Sequence, residues 1–130
     1  MANRRFQNFQ AYDREVKRLY CKATIGASGA PTLVSDNSLG IKSIARNSAG
    51  DYTVTFGDSS TTDKYNKLLW ADGKLLDAAG EDIRVQIQVD SVSSDGQIQV
   101  LTLTGASATD PSNGSTLFLV FDLKNSSVTR

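Results

Sequence analysis

The sequence contains no histidine and a single cysteine, Cys21. The missing histidine removes the commonest general base, the commonest metal ligand and every Ser–His or Cys–His nucleophile pair. Together the two scarcities leave no zinc site of nitrogen and sulfur ligands. One cysteine forms no intramolecular disulfide, which points to a reducing compartment. Long apolar runs are missing too. No window approaches the roughly 18 residues that span a membrane, so no membrane partner is expected. Met1-Ala2-Asn3-Arg4-Arg5 has no apolar stretch behind it and does not read as a secretory signal. Phosphate-loop chemistry is absent as well. Gly26-Ala27-Ser28-Gly29 is followed by Ala30-Pro31, not by Gly-Lys-Ser/Thr, and reads as an irregular link. Glu81 and Asp82 are adjacent acids between Gly80 and a strand, where solvated acids are ordinary. The oxygen-rich run Asp110–Ser115 lacks calcium-loop spacing and reads as a turn. These exclusions predict a protein that is not an enzyme and carries no cofactor or metal.

What remains is enough for one domain. A chain of 130 residues buries sufficient surface to fold without disulfides or metals. Formal net charge is zero, yet the charge is uneven. Residues 1–22 hold six cations (Arg4, Arg5, Arg14, Lys17, Arg18, Lys22) and two anions, and the remainder holds eight cations and twelve anions. A basic leading segment precedes a mildly acidic body. Two readings fit: an arm that docks on an acidic surface, or a solvated polar strand end.

Along the chain, Phe6, Phe9 and Tyr12 are spaced by three among basic and amide residues, and Val16, Leu19 and Tyr20 would continue a helical stripe. From Leu19 a strand pattern competes, with Leu19, Cys21, Ala23 and Ile25 alternating against Tyr20, Lys22 and Thr24. The preferred reading is a basic, aromatic arm over 1–14 and a β domain over 15–130. Further strands are predicted at Thr32–Val34 and Gly40–Arg46. Tyr52–Phe56 follows, with Tyr52, Val54 and Phe56 facing inward. A polar loop fills 57–64. Leu68–Trp70 and Lys74–Leu76 flank a turn at Ala71-Asp72-Gly73, and up to two helical turns within 64–80 are the alternative. Ile83, Val85, Ile87 and Val89 alternate with polar residues, and a tight hairpin turn at Ser94-Asp95-Gly96 returns the chain. The apolar parity switches between Val100 and Leu101, which predicts a bulge. After a small-residue loop at 105–116, Leu117–Leu123 is nearly continuous apolar and belongs at the centre of a sheet or under an interface. The sum is an all-β fold: an antiparallel sandwich or barrel of seven to eight short strands with an N-terminal arm.

Several stretches carry a resemblance: Ala23-Thr24-Ile25-Gly26-Ala27-Ser28-Gly29-Ala30-Pro31-Thr32-Leu33, Gly40-Ile41-Lys42-Ser43-Ile44-Ala45-Arg46, Gly50-Asp51-Tyr52-Thr53-Val54-Thr55-Phe56 and Tyr65-Asn66-Lys67-Leu68-Leu69. This pattern, over about residues 16–70, resembles small virion proteins of tailed bacteriophages. The resemblance implies a non-enzymatic part of the particle. The favoured form is a capsid decoration (cement) protein, made in the host cytoplasm. It binds the major capsid protein outside the shell where capsomers meet, as a homotrimer by analogy. A base or adaptor segment of a head or tail fibre is the alternative. On this reading the partner-binding residues are Arg4, Arg5, Phe6, Phe9, Tyr12, Arg14, Arg18 and Tyr20: aromatic anchors with arginines pairing acidic groups. For Tyr20, core packing is an equal alternative. Two rival classes use the same residues differently. Nucleic-acid binding through the arm is disfavoured by the acidic body. A glycan-binding module would need Tyr52, Tyr65 and Trp70 as a stacking platform, although a lone tryptophan is more often a core residue.

Overall fold

In the computed structural model, which describes residues 16–125, the alternation beginning at Leu19 becomes strand β1 (Val16–Ile25). Leu19, Cys21, Ala23 and Ile25 face inward, and Tyr20 faces out. Eight strands follow: β2 (Pro31–Leu33), β3 (Ile41–Ser48), β4 (Asp51–Phe56), β5 (Lys67–Leu76), β6 (Arg84–Ser91), β7 (Gln97–Thr104), β8 (Ser107–Ala108) and β9 (Thr116–Lys124). They form two antiparallel sheets, one ordered β2-β1-β9-β5 and the other β3-β4-β7-β6 with β8 added to β7. The fold is an all-β sandwich, and β8 arises within the segment predicted as a loop.

The core fills the space between the sheets. Leu117, Leu119, Phe121 and Leu123 of β9 meet Tyr52, Val54 and Phe56 of β4 and Ile98 and Val100 of β7. The rings of Phe56 and Phe121 cross edge to face from opposite sheets, with centroids 5.2 Å apart. β9 lies between β1 and β5, the central place its apolar run implies. The Tyr52 ring is fully buried, and its hydroxyl donates to the Gly29 carbonyl at 2.9 Å. That bond ties the Gly26–Gly29 link to the opposite sheet. Burial pushes this phenol up to about 12.

Four local predictions differ from the structure. Ala71-Asp72-Gly73 is not a turn, because β5 runs unbroken through it. Gly73 is needed for packing: a Cβ there would lie 2.6 Å from Leu119 and 2.7 Å from Val85 side-chain carbons. The bulge expected between Val100 and Leu101 is absent from β7, which pairs β4 in unbroken register from Gln97 to Leu101. Its inward row continues through Thr102, whose hydroxyl is satisfied by donating to the Thr109 carbonyl at 2.6 Å. A hydrogen-bonded threonine in the core hid the period. The irregularity lies instead in β6, between Ile87 and Val89, and leaves Val89 exposed. The β6–β7 connection is longer than the tight turn predicted at Ser94-Asp95-Gly96. One helical turn, α1 (Val92–Asp95), is closed by Gly96 at φ +68° and buries Val92.

Two carboxylates staple the loops. Asp77 accepts from the backbone N–H groups of Ala79 and Glu81 at 3.0 Å each, from that of Ser112 at 3.2 Å and from the Ser115 hydroxyl at 3.0 Å. Asp110 accepts two bonds from Arg46, at 3.0 and 2.8 Å, and one from the Gly50 N–H at 2.9 Å. Both segments that read as acidic or oxygen-rich loops are thus held by internal bonds. The backbone bond from Glu81 is the largest cause holding Asp77 below its ordinary value of 3.8, and the Arg46 bond does the same for Asp110. A carboxyl lowered by folding stabilises above its unfolded value and loses that contribution as pH falls through its folded value. The midpoint of thermal unfolding is therefore expected to hold steady from pH 7 to about 5 and to fall steeply below about 4. Asp110→Asn should lower the plateau and flatten the acid limb. Scanning calorimetry across pH checks both, and a midpoint that rises in acid would contradict the assignment.

Candidate functional site

The outer face of the four-stranded sheet carries the side chains that packing leaves over. Register sets them in cross-strand rows: Arg18, Asp122 and Trp70; then Tyr20, Val120 and Asp72; then Lys22, Phe118 and Lys74. Neighbours in a row lie close enough to interact directly. Arg18 donates from Nε and Nη2 to the two Asp122 carboxylate oxygens at 2.7 and 2.8 Å. This bidentate bond holds the Asp122 carboxyl below its ordinary range and raises the Arg18 guanidinium above its own. In the third row the Lys22 ammonium lies 5.7 Å from the centroid of the Phe118 ring, within cation–π range.

Large apolar side chains remain in water here. Tyr20 is 58% exposed, Trp70 59%, Leu76 65% and Phe118 41%, and Leu39, at 78%, stands on the adjoining loop. Val89 is the exposed large apolar residue on the other sheet among the described residues. Scattered single apolar residues need no explanation, whereas a contiguous patch of this kind marks an interaction surface. The relief is concave. A groove of about 600 Å³ runs between Tyr20, Phe118 and Leu39, rimmed by Arg18, Lys22 and Asp36. A smaller one of about 220 Å³ lies against Tyr20, Phe118, Asp72 and Lys74. Cys21 faces the core beneath, where burial pushes its thiol up to about 12. It is not a reactive thiolate.

Of the residues singled out in the sequence, Arg18 and Tyr20 stand together on this face. Tyr20 is an outward side chain, not a core one. Arg4, Arg5, Phe6, Phe9, Tyr12 and Arg14 lie outside the described residues. Tyr52, Tyr65 and Trp70 make no stacking platform, because Tyr52 and Tyr65 are buried. Trp70 is the exposed member, not the core residue expected of a lone tryptophan. Sequence reading missed Phe118, Val120 and Leu39. The first two were visible in the run Leu117–Leu123, where apolar residues at both parities serve the core and an outer face at once.

Among the described residues there is no group of three or more Cys, Asp or Glu side chains placed to hold a metal ion. No helix among them is long and apolar enough to cross a membrane. No protein-family model, curated protein or solved structure matches the chain. The arrangement offers aromatic and aliphatic anchors, a paired arginine and flanking lysines on one β surface.

Proposed function

We propose that the chain is a non-enzymatic virion protein of a tailed bacteriophage that decorates the outside of the capsid shell and stabilises it by binding the major capsid protein. The observation that carries the reading is the exposed Tyr20–Phe118 surface with its two grooves, on a sheet whose other face packs against the core. The resemblance of residues 16–70 to small phage virion proteins supports a phage particle as the setting. Tyr20 and Phe118 supply exposed aromatic anchors for binding to bury, and Arg18 with Lys22 supplies charge toward an acidic capsid patch. Residues 1–14, with Arg4, Arg5, Phe6, Phe9, Tyr12 and Arg14, extend the same chemistry along the chain. A ligand that binds the assembled shell and not its dissociated subunits stabilises the shell by mass action.

The test is cosedimentation of the purified chain with heads that lack it, taken from the phage that encodes it. Saturable binding at a fixed number of copies per head, with a raised temperature of head disruption, is expected. No binding at micromolar chain would overturn the reading. Salt-sensitive retention on immobilised DNA would favour the nucleic-acid class instead.

A further inference from the structure

β5 ends its sheet: among the described residues β9 is the one strand paired with it, while β6 of the other sheet packs alongside. Alternate residues of an antiparallel strand bond to one side and the residues between them to the other, so the polarity of the free edge follows from bonds already made. In β1, Lys22 turns its N–H to the Ser38 hydroxyl at 2.9 Å and its carbonyl to the Val34 N–H at 2.8 Å, both away from β9. The odd-numbered residues of β1 therefore bond β9, which leaves the even-numbered residues of β9 for β5. The Asn66 N–H, bonded to the Lys124 carbonyl at 2.9 Å, fits this assignment. Trp70, Asp72, Lys74 and Leu76, paired with the even-numbered β9 residues, then bond inward to the sheet. Ala71, Gly73 and Leu75 present their N–H and C=O groups to the open edge. The Gly73 N–H is met there by the carboxylate of its own neighbour, Asp72, at 2.8 Å.

We propose that two copies of the chain pair antiparallel through this edge, about a two-fold axis at Gly73. The sequence of β5 is self-complementary in that register. Gly73 faces Gly73 of the second copy, and Ala71 faces Leu75. These residues turn their backbone groups to the edge, so once the Asp72 carboxylate gives up the Gly73 N–H the edge pairs through about six hydrogen bonds. On the outer face, Asp72 stands opposite Lys74 of the second copy and Lys74 opposite Asp72, giving two charge pairs. Trp70 stands opposite Leu76 twice, which covers two of the most exposed apolar side chains in the protein. The one bulge in β5 lies between Leu68 and Trp70, so Trp70–Leu76 stays regular over the paired length. Edge strands are commonly protected by charge and bulges. Here the charges alternate in sign so that they attract a second copy. The pair forms a continuous eight-stranded sheet with both Tyr20–Phe118 surfaces on the same side. If the capsid reading holds, each dimer grips the shell twice.

The state is two-fold, in place of the trimer implied by the resemblance. Light scattering and sedimentation of the full chain test it without any particle. A concentration-dependent dimer is expected, with a blue shift of Trp70 emission as it forms. Lys74→Asp and Asp72→Lys each place like charges opposite each other twice and should weaken the dimer by about tenfold or more. Both positions are exposed, so each variant should keep its far-UV spectrum. An equimolar mixture of the two variants restores both opposite-charge pairs and should restore the dimer. A wild-type monomer or trimer, a dimer that both variants leave intact, or a mixture that stays monomeric would overturn the proposal.

Discussion

Phe121→Ala should cost the fold about 3–5 kcal/mol, the range for truncating a buried aromatic. Phe121 is fully buried on the central strand of its sheet, and its ring meets Phe56 edge to face from the opposite sheet. Leu119 and Leu123 flank it on the same inward row and are held by β1 on one side and β5 on the other. They have little freedom to collapse into the space left behind. The expected loss combines the transfer energy of the ring, a cavity term and the aromatic pair. Domains of this size are stable by about 5–15 kcal/mol, so the variant should be marginal at 37 °C. Phe118→Ala removes the same side chain three residues earlier from the outer face and should cost less than about 1 kcal/mol. Urea unfolding followed by circular dichroism compares them. Equal losses for the two variants would contradict the inward and outward assignment of β9.

Function should show the reverse ranking. Tyr20→Ala and Phe118→Ala each remove an anchor shared by both grooves. Central aromatic anchors typically contribute about 2 kcal/mol or more to an interface, which is about thirtyfold in affinity. Each variant should bind heads about thirtyfold more weakly while melting within a few degrees of the parent chain. Val89→Ala, the matched truncation on the opposite sheet, should bind unchanged. Quantitative cosedimentation separates these outcomes. Normal binding by the Tyr20→Ala, Phe118→Ala double variant would remove this face from the interface.

Much of the sandwich is written in two-residue periodicity. Leu19 to Ile25 and Tyr52 to Phe56 each declare an inward row, and in each the row is buried as the pattern implies. The pattern misleads where one residue type serves two purposes. Gly73 has the composition of a turn and is instead an inward strand position, kept small because Leu119 and Val85 fill the space of a side chain. Thr102 looks like an outward residue and lies inside, its hydroxyl satisfied by Thr109. Val89 keeps the apolar rhythm of β6, yet a bulge turns it to solvent. The candidate face was half legible. Arg18 and Tyr20 stood out as a cation and an aromatic near the start of the chain. Phe118 did not, and Trp70 stood out only in a stacking platform with Tyr52 and Tyr65, because only strand order brings β1, β9 and β5 side by side. Their rows follow from register across about a hundred residues of sequence, which no local pattern encodes.

Hydroxyl-radical footprinting of the chain, free and bound to heads, addresses the docking face most directly. Tyr20 and Phe118 should be labelled in the free chain and protected on the particle, while Val89 on the opposite sheet is labelled equally in both states. Protection of Val89 with Tyr20 and Phe118 still labelled would place the interface on the other sheet and contradict the assignment made here.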